Sequence, residues 1–232
     1  MIYSIEGNVG SGKSTLLAEL QKNLKIKNVK ILFAPEPVDL WTQVIDPSTG
    51  KNIIELFYAD QESYSFAFQM LAYITRLNTI TDMVKENPDA IIVCERSVYT
   101  DRSVFAKMLY DAGKMKPVEY QIYTMWFKYF EKNLGPHTFI HLNTPPVISA
   151  ERVTKRNRKG ENIPLEYLRQ CDKYHHEWLD SDFEARGGHK YTLEYILDFQ
   201  QMVEAVTSVI TPESSPKMAT HNHSSHHYTG QI

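Results

Sequence analysis

An eight-residue stretch near the start of the chain, Gly7-Asn8-Val9-Gly10-Ser11-Gly12-Lys13-Ser14, constrains the fold more than any other. It fits the pattern G-x-x-x-x-G-K-[ST]. In that pattern the backbone N–H groups cradle phosphate oxygens, the lysine reaches the β/γ-phosphates and the hydroxyl ligates Mg²⁺. The pattern has meaning only between a strand and a helix, because the helix N-terminus aims its dipole at the same anion. Both flanks are present: Ile2 to Ile5 is a short apolar strand, and Leu16, Leu17, Leu20 and Leu24 recur at helical spacing. Residues 7–15, from Gly7 through Thr15, are expected to bind the phosphates of a nucleotide such as ATP.

Further along, strands and helices alternate. Residues 29–33 read as a strand that stops at Pro35-Glu36-Pro37, and residues 43–52 read as a loop. Residues 61–86 carry a long helical period. Residues 90–94 and 138–142 are continuous apolar runs, the mark of strands buried on both faces. Helices are expected over 101–110, 118–134, 163–178 and 197–210, with a strand at 189–193. Pro145-Pro146 opens one more helix, which runs into a basic segment. The pattern predicts an α/β domain over residues 1–210, a parallel sheet with helices on both faces. Residues 211–232, rich in Ser, Thr, His and Pro, read as a flexible tail.

Composition narrows the partners. The 232 residues hold 25 Lys and Arg against 28 Asp and Glu, a net charge of −3, so a large polyanion such as nucleic acid is not the expected partner. Two cysteines, Cys94 and Cys171, exclude a disulfide framework and a four-cysteine zinc site, and suit a reducing compartment. There is no apolar run of membrane-spanning length, and the strand that starts at Ile2 leaves no room for a transit peptide. The expectation is a cytoplasmic protein with no membrane partner.

A phosphate loop names a nucleotide and not a reaction. A guanine-reading Asn-Lys-x-Asp is absent, and the strand where an ATPase would carry Asp ends instead in Cys94-Glu95-Arg96. A small-molecule kinase needs an acceptor pocket and a basic lid. Glu36 closes the second strand on the ligand-facing side of an open sheet, where a carboxylate can take a proton from a hydroxyl and repels an acceptor that already bears phosphate. Glu95 is placed to assist Ser14 at a metal, and Arg96 to hold Glu36 or the acceptor. Gln69, Ala72 and Arg76 share a face of the long helix, and Asp101 and Phe105, four residues apart, share a face of the helix expected at 101–110. A Gln amide pairs two ways with a base edge. Phe68 and Phe105 either sandwich that base or simply fill the core. Buried, Arg76 needs a partner, and Asp101 is the obvious one. Arg152, Arg156 and Arg158 suit a lid over a transferring phosphoryl group, or equally a solvated helix end.

These pieces together resemble the deoxyribonucleoside kinase family, the group containing deoxycytidine, deoxyguanosine and multisubstrate kinases. The resemblance runs from Ile2 to about Trp178. It rests on Ile5-Glu6-Gly7-Asn8 leading into the phosphate loop, Pro35-Glu36-Pro37-Val38 with Trp41, Phe68-Gln69, Glu95-Arg96-Ser97-Val98-Tyr99 followed by Asp101-Arg102, the arginines at 152–158, and Ile163-Pro164-Leu165-Glu166-Tyr167-Leu168. It implies a P-loop kinase fold with an Arg-rich lid at about residues 152–162, and MgATP-dependent phosphorylation of a deoxynucleoside 5′-hydroxyl. Glu36 would be the general base, with Arg96 and Lys13 beside it. Gln69 would read the base, Tyr58 would meet the sugar 3′-hydroxyl with Glu161 as its lid partner, and Val38, Trp41, Ile54, Phe68 and Phe105 would wall the pocket. The Arg76–Asp101 pair implies deoxycytidine, deoxyadenosine or deoxyguanosine in preference to thymidine. Family members pair as homodimers, and the aromatic helix at 118–134 is either that face or a buried core helix. Two rival readings are a nucleoside monophosphate kinase, whose acceptor loop would read Arg-Glu-Pro-Gly, and a non-catalytic relative serving as an assembly subunit.

Overall fold

The computed structural model describes residues 1–158, 161, 163–181, 189–195 and 198–211; all of the tail expected at 211–232 except Thr211 lies outside them. Five parallel strands form one sheet in the order β2-β3-β1-β4-β5: β1 (Ile2–Gly7), β2 (Ile31–Ala34), β3 (Ile91–Glu95), β4 (His137–Asn143) and β5 (His189–Glu194). β1 lies between β3, with Ile5 opposite Glu95, and β4, with Gly7 opposite Leu142. The strand feeding the phosphate loop thus has its neighbours on opposite sides in chain order, which opens a crevice at its carboxyl end.

Helices cover both faces. α1 (Lys13–Asn23) and α10 (Phe199–Ile210) pack one apolar layer against β1, β3 and β4, centred on Ile5, Leu20, Val93, Ile140 and Val206. On the other face lies α4 (Gln61–Glu86), with α7 (Pro117–Glu131) beside it through Tyr73, Tyr123 and Phe127. Two short helices, α2 (Val38–Thr42) and α3 (Ile53–Ala59), are additions to the sequence-based expectation. Asn52 caps α3 in a reciprocal box with Glu55.

Past β3 the chain turns through α5 (Val98–Thr100), a π-helical stretch (Asp101–Ala106) and α6 (Lys107–Asp111) as one run. The plain helix expected at 101–110 is therefore a wider coil over its first half. α8 (Pro146–Arg156) begins with Pro in its first turn and ends at Asn157 in a left-handed conformation, φ 48°. α9 (Leu165–Ser181) packs against α8, the π-helical stretch and α6. Among the described residues no helix is long and apolar enough to cross a membrane.

Candidate active site

The crevice at the carboxyl ends of the strands holds a cavity of about 640 Å³, the size of a small-molecule site. The phosphate loop forms one wall, through Val9, Gly10, Ser11, Gly12, Lys13, Ser14 and Thr15. Gly10 has φ +82°, and a Cβ there would meet the Ser149 carbonyl oxygen at 2.5 Å and Val153 at 2.9 Å, so a side chain fits neither the backbone nor the space. Gly7 and Asn8 sit just behind the wall. The Asn8 carbonyl accepts from Lys13 Nζ at 2.7 Å, and its side-chain amide donates to the Leu168 carbonyl at 2.8 Å, tying the loop to α9. Burial, then the charge of Arg96, pushes the Lys13 ammonium down to about 7. Ser14 Oγ donates to Glu95 Oε1 at 2.6 Å. A hydroxyl and a carboxylate side by side are the hard oxygen donors that Mg²⁺ takes.

Glu36 reaches the cavity floor from the end of β2, and two arginines converge on its Oε1. Arg76 NH2 donates from 3.1 Å and Arg96 Nε lies 3.3 Å away. Burial alone would raise this carboxyl, but Arg96, Arg76 and Lys13 outweigh it and hold the group at about 2. Arg76 finds Asp101 as its partner, Nε to Oδ2 at 2.9 Å, and donates through NH1 to the Glu95 carbonyl at 2.6 Å. Its three contacts with β3, Glu36 and the π-helical stretch make it the hub of the floor. Arg96 has φ 65°, an uncommon conformation for a side-chain-bearing residue. Its NH1 donates to the Gly7 carbonyl at 2.8 Å, and its guanidinium lies over the Phe105 ring at 4.8 Å.

The far end of the cavity is apolar with a few polar groups. Gln69, Ala72 and Arg76 come together there from one face of α4, opposite Asp101 and Phe105. Trp41, Ile54 and Phe68 wall it, and Trp41 is pinned by its indole N–H donating to Thr75 Oγ1 at 2.9 Å. Phe68 packs on Phe57 at 4.8 Å and also faces the cavity. Val38 packs behind this cluster and is a supporting residue, not a cavity-lining one. Tyr58 also lines the cavity, and burial, then the Glu161 charge, raises its phenol, so it is a neutral hydrogen-bond donor.

Arg152, Arg156, Arg158 and Glu161, expected in a lid, line the remaining side. Arg152 NH1 donates to the Ser11 carbonyl at 2.9 Å. Arg156 and Arg158 both face Glu161, at 2.6 and 3.7 Å. Lys159, Gly160 and Asn162 lie outside the described residues. Several cavity residues escaped the sequence reading: Phe57, Tyr167, Leu142 and Lys155, and Phe199 with Met202 at the start of α10. Phe57 had a signal in the Asn52–Glu55 capping box, and Tyr167 stands inside a motif already singled out. Phe199 and Met202 had none, because they arrive from the far end of the chain.

The deoxynucleoside kinase family profile matches residues 3–221. Deoxycytidine kinase 1 of Xenopus laevis is 32% identical over 206 residues, spanning 78% of this chain and 76% of that protein. Deoxycytidine kinase of Homo sapiens is 31% identical over 196 residues, with 76% and 74% covered. The mitochondrial thymidine kinase 2 of Homo sapiens is 33% identical over 181 residues, with 77% and 64% covered.

Proposed function

The chain belongs to the deoxynucleoside kinase family, and from that membership we propose that it transfers the γ-phosphoryl group of MgATP to the 5′-hydroxyl of a deoxyribonucleoside in nucleotide salvage. The observation that carries the reading is the Glu36 carboxylate, held by Arg96 and Arg76 in the same cavity as the phosphate loop. Lys13 and the arginines of residues 152–158 face the donor phosphates, and Ser14 and Glu95 hold Mg²⁺, which offsets phosphate charge when bound.

A carboxylate at about 2 is a weak base for a ground-state alcohol. Phosphoryl transfer has a loose transition state, in which the attacking oxygen has formed little bond and loses its proton late. Glu36 first orients the hydroxyl, then accepts the proton once the oxygen has become acidic. Tyr58 donates to the sugar, with Glu161 closing over it from the lid. The base lies between Phe68 and Phe105, with Gln69 on its edge.

The Arg76–Asp101 pair offers that edge a donor and an acceptor and narrows the room for a thymine methyl group. The preferred acceptors are therefore deoxycytidine, deoxyadenosine or deoxyguanosine, with thymidine poor. The test is transfer from MgATP to each of the four deoxynucleosides and to thymidylate. Transfer to a deoxynucleoside other than thymidine is expected. Transfer to thymidylate alone would make this a monophosphate kinase, and ATP binding without transfer would make it an assembly subunit.

Lys13 supplies a second check. At pH 8 an ammonium with a value of about 7 is mostly neutral in the free protein. Phosphates favour its charged form, so ATP binding is expected to take up close to one proton per site. Calorimetry in two buffers of different protonation heat reads this directly. Near pH 6 Lys13 is already charged and its uptake should vanish. No uptake at pH 8 would mean that the lysine is charged before nucleotide arrives.

A homodimer is the proposed assembly, and α7 supports both readings of its sequence, on opposite faces. Tyr123 and Phe127 are buried against α4, while Val118, Ile122, Met125, Trp126 and Tyr129 form an exposed apolar stripe. Trp126→Glu is expected to give a folded monomer in sedimentation equilibrium, where the parent chain is a dimer. The proposed compartment is the cytoplasm, which suits two unpaired, buried cysteines.

A further inference from the structure

We infer that His175, on α9, is a positioning residue that sets the plane of the Arg96 guanidinium and thereby keeps Arg96 in ion-pair contact with Glu36. The inference rests on the proposed role of Glu36 and Arg96 in phosphoryl transfer. His175 is fully buried, and no step of the proposed reaction uses it.

The geometry fixes what this ring can do. His175 Nδ1 lies 2.6 Å from the Cys171 carbonyl oxygen. A carbonyl only accepts, so Nδ1 carries the proton and Nε2 is left with a lone pair. Nε2 stands 3.5 Å from Arg96 NH1. That nitrogen has two hydrogens, and the Gly7 carbonyl at 2.8 Å takes the other. Two acceptors on one terminal nitrogen determine the plane of a rigid, planar fork. Nε lies in that plane, in ion-pair contact with Glu36 Oε1 at 3.3 Å.

The surroundings favour the neutral ring. Arg96 faces it from the turn after β3, His141 from β4 stacks on it at 6.1 Å, and Lys13 adds positive charge from the phosphate loop. Burial first, and then the Arg96 charge, push the imidazole well below its ordinary range. An imidazolium here would set two cations against each other and remove the lone pair. Phe105 completes the box, its face under the guanidinium and its ring edge-on to His175 at 6.2 Å.

The first test needs only the parent chain. Long-range ¹H–¹⁵N correlation spectra of histidine-labelled protein at about pH 6 report which ring nitrogen carries the proton. A neutral Nδ1–H ring is expected for His175. An Nε2–H ring or an imidazolium overturns the inference. Because this readout needs no turnover, failure of the inference and failure of the proposed reaction are told apart.

The second test compares two amides. In His175→Gln the amide sits near the former Nε2 and again offers Arg96 an acceptor, whereas in His175→Asn it sits near Nδ1 and does not. His175→Asn is expected to lose about tenfold or more in kcat, with His175→Gln recovering most of that rate. KM for both substrates should change by less than about threefold in either variant, since binding groups are untouched. Equal losses in the two variants, or a parental kcat in His175→Asn, would overturn the inference.

Discussion

Glu36→Gln is expected to lower kcat by about 10³-fold while leaving ATP affinity nearly unchanged, because a positioned general base contributes about 10²–10⁴-fold. The amide keeps the shape and can still accept a hydrogen bond from the acceptor hydroxyl, but it cannot take the proton. It also brings no charge to Arg96 and Arg76, which in the parent chain share Glu36 Oε1 at 3.3 and 3.1 Å. Single-turnover transfer with saturating deoxycytidine separates the chemical step from product release. A loss below about tenfold would leave Glu36 a hydrogen-bonding group alone, with proton removal assigned elsewhere. The carboxylate is ionised at all pH values above about 2, so an acid limb of the rate near pH 5 is not expected from it. Its contribution to stability has the matching sign. The depressed value favours the folded state above the ordinary carboxylate range, and the advantage is lost as pH falls towards 2.

Arg76→Met carries the second large effect, on stability and selectivity together. It leaves Asp101, with a side chain only 3% exposed, without its cationic partner. Breaking a buried pair from one side costs about 3–5 kcal/mol, whereas removing both partners costs far less. Arg76→Met is therefore expected to unfold at markedly lower urea, and Arg76→Met with Asp101→Ala to recover most of the difference. The double variant should also raise the ratio of thymidine to deoxycytidine turnover, since both groups that the proposed reading sets against the base are gone. A flat ratio in a well-folded double variant would sink the account of base selection. Because Arg76 also donates to Glu36, both variants should raise the Glu36 value and move its titration towards the measurable range.

How much of this could be read from the chain depends on how local each feature is. The phosphate-loop pattern is contiguous, so eight residues carry the whole of it. Glu36, Glu95 and Arg96 were placed by topology, because ligand-facing residues sit at strand ends whatever the packing. The Arg76–Asp101 pair followed from the cost of burying an unpaired guanidinium. What escaped depends on three-body geometry. Arg76 turned out to bridge Asp101, Glu36 and the Glu95 carbonyl at once, and no spacing rule orders contacts to three separate elements. The π-helical stretch at Asp101–Ala106 has no compositional mark, yet Asp101 and Phe105 still face one cavity. Its place in the motif around Glu36 makes Val38 a wall, whereas it packs against the cluster of Trp41, Ile54 and Phe68 from behind.

The two cysteines carry a practical consequence. Both are buried and unpaired, and burial pushes each thiol up to about 12. At neutral pH the reactive thiolate is then a fraction of about 10⁻⁵ of either residue. Alkylating reagents and spin labels should pass over the native chain. A single cysteine introduced in place of Lys22, exposed on α1 away from the apolar stripe of α7, would be the one thiol such reagents find, and distances between two labelled copies could be measured without first deleting the native ones.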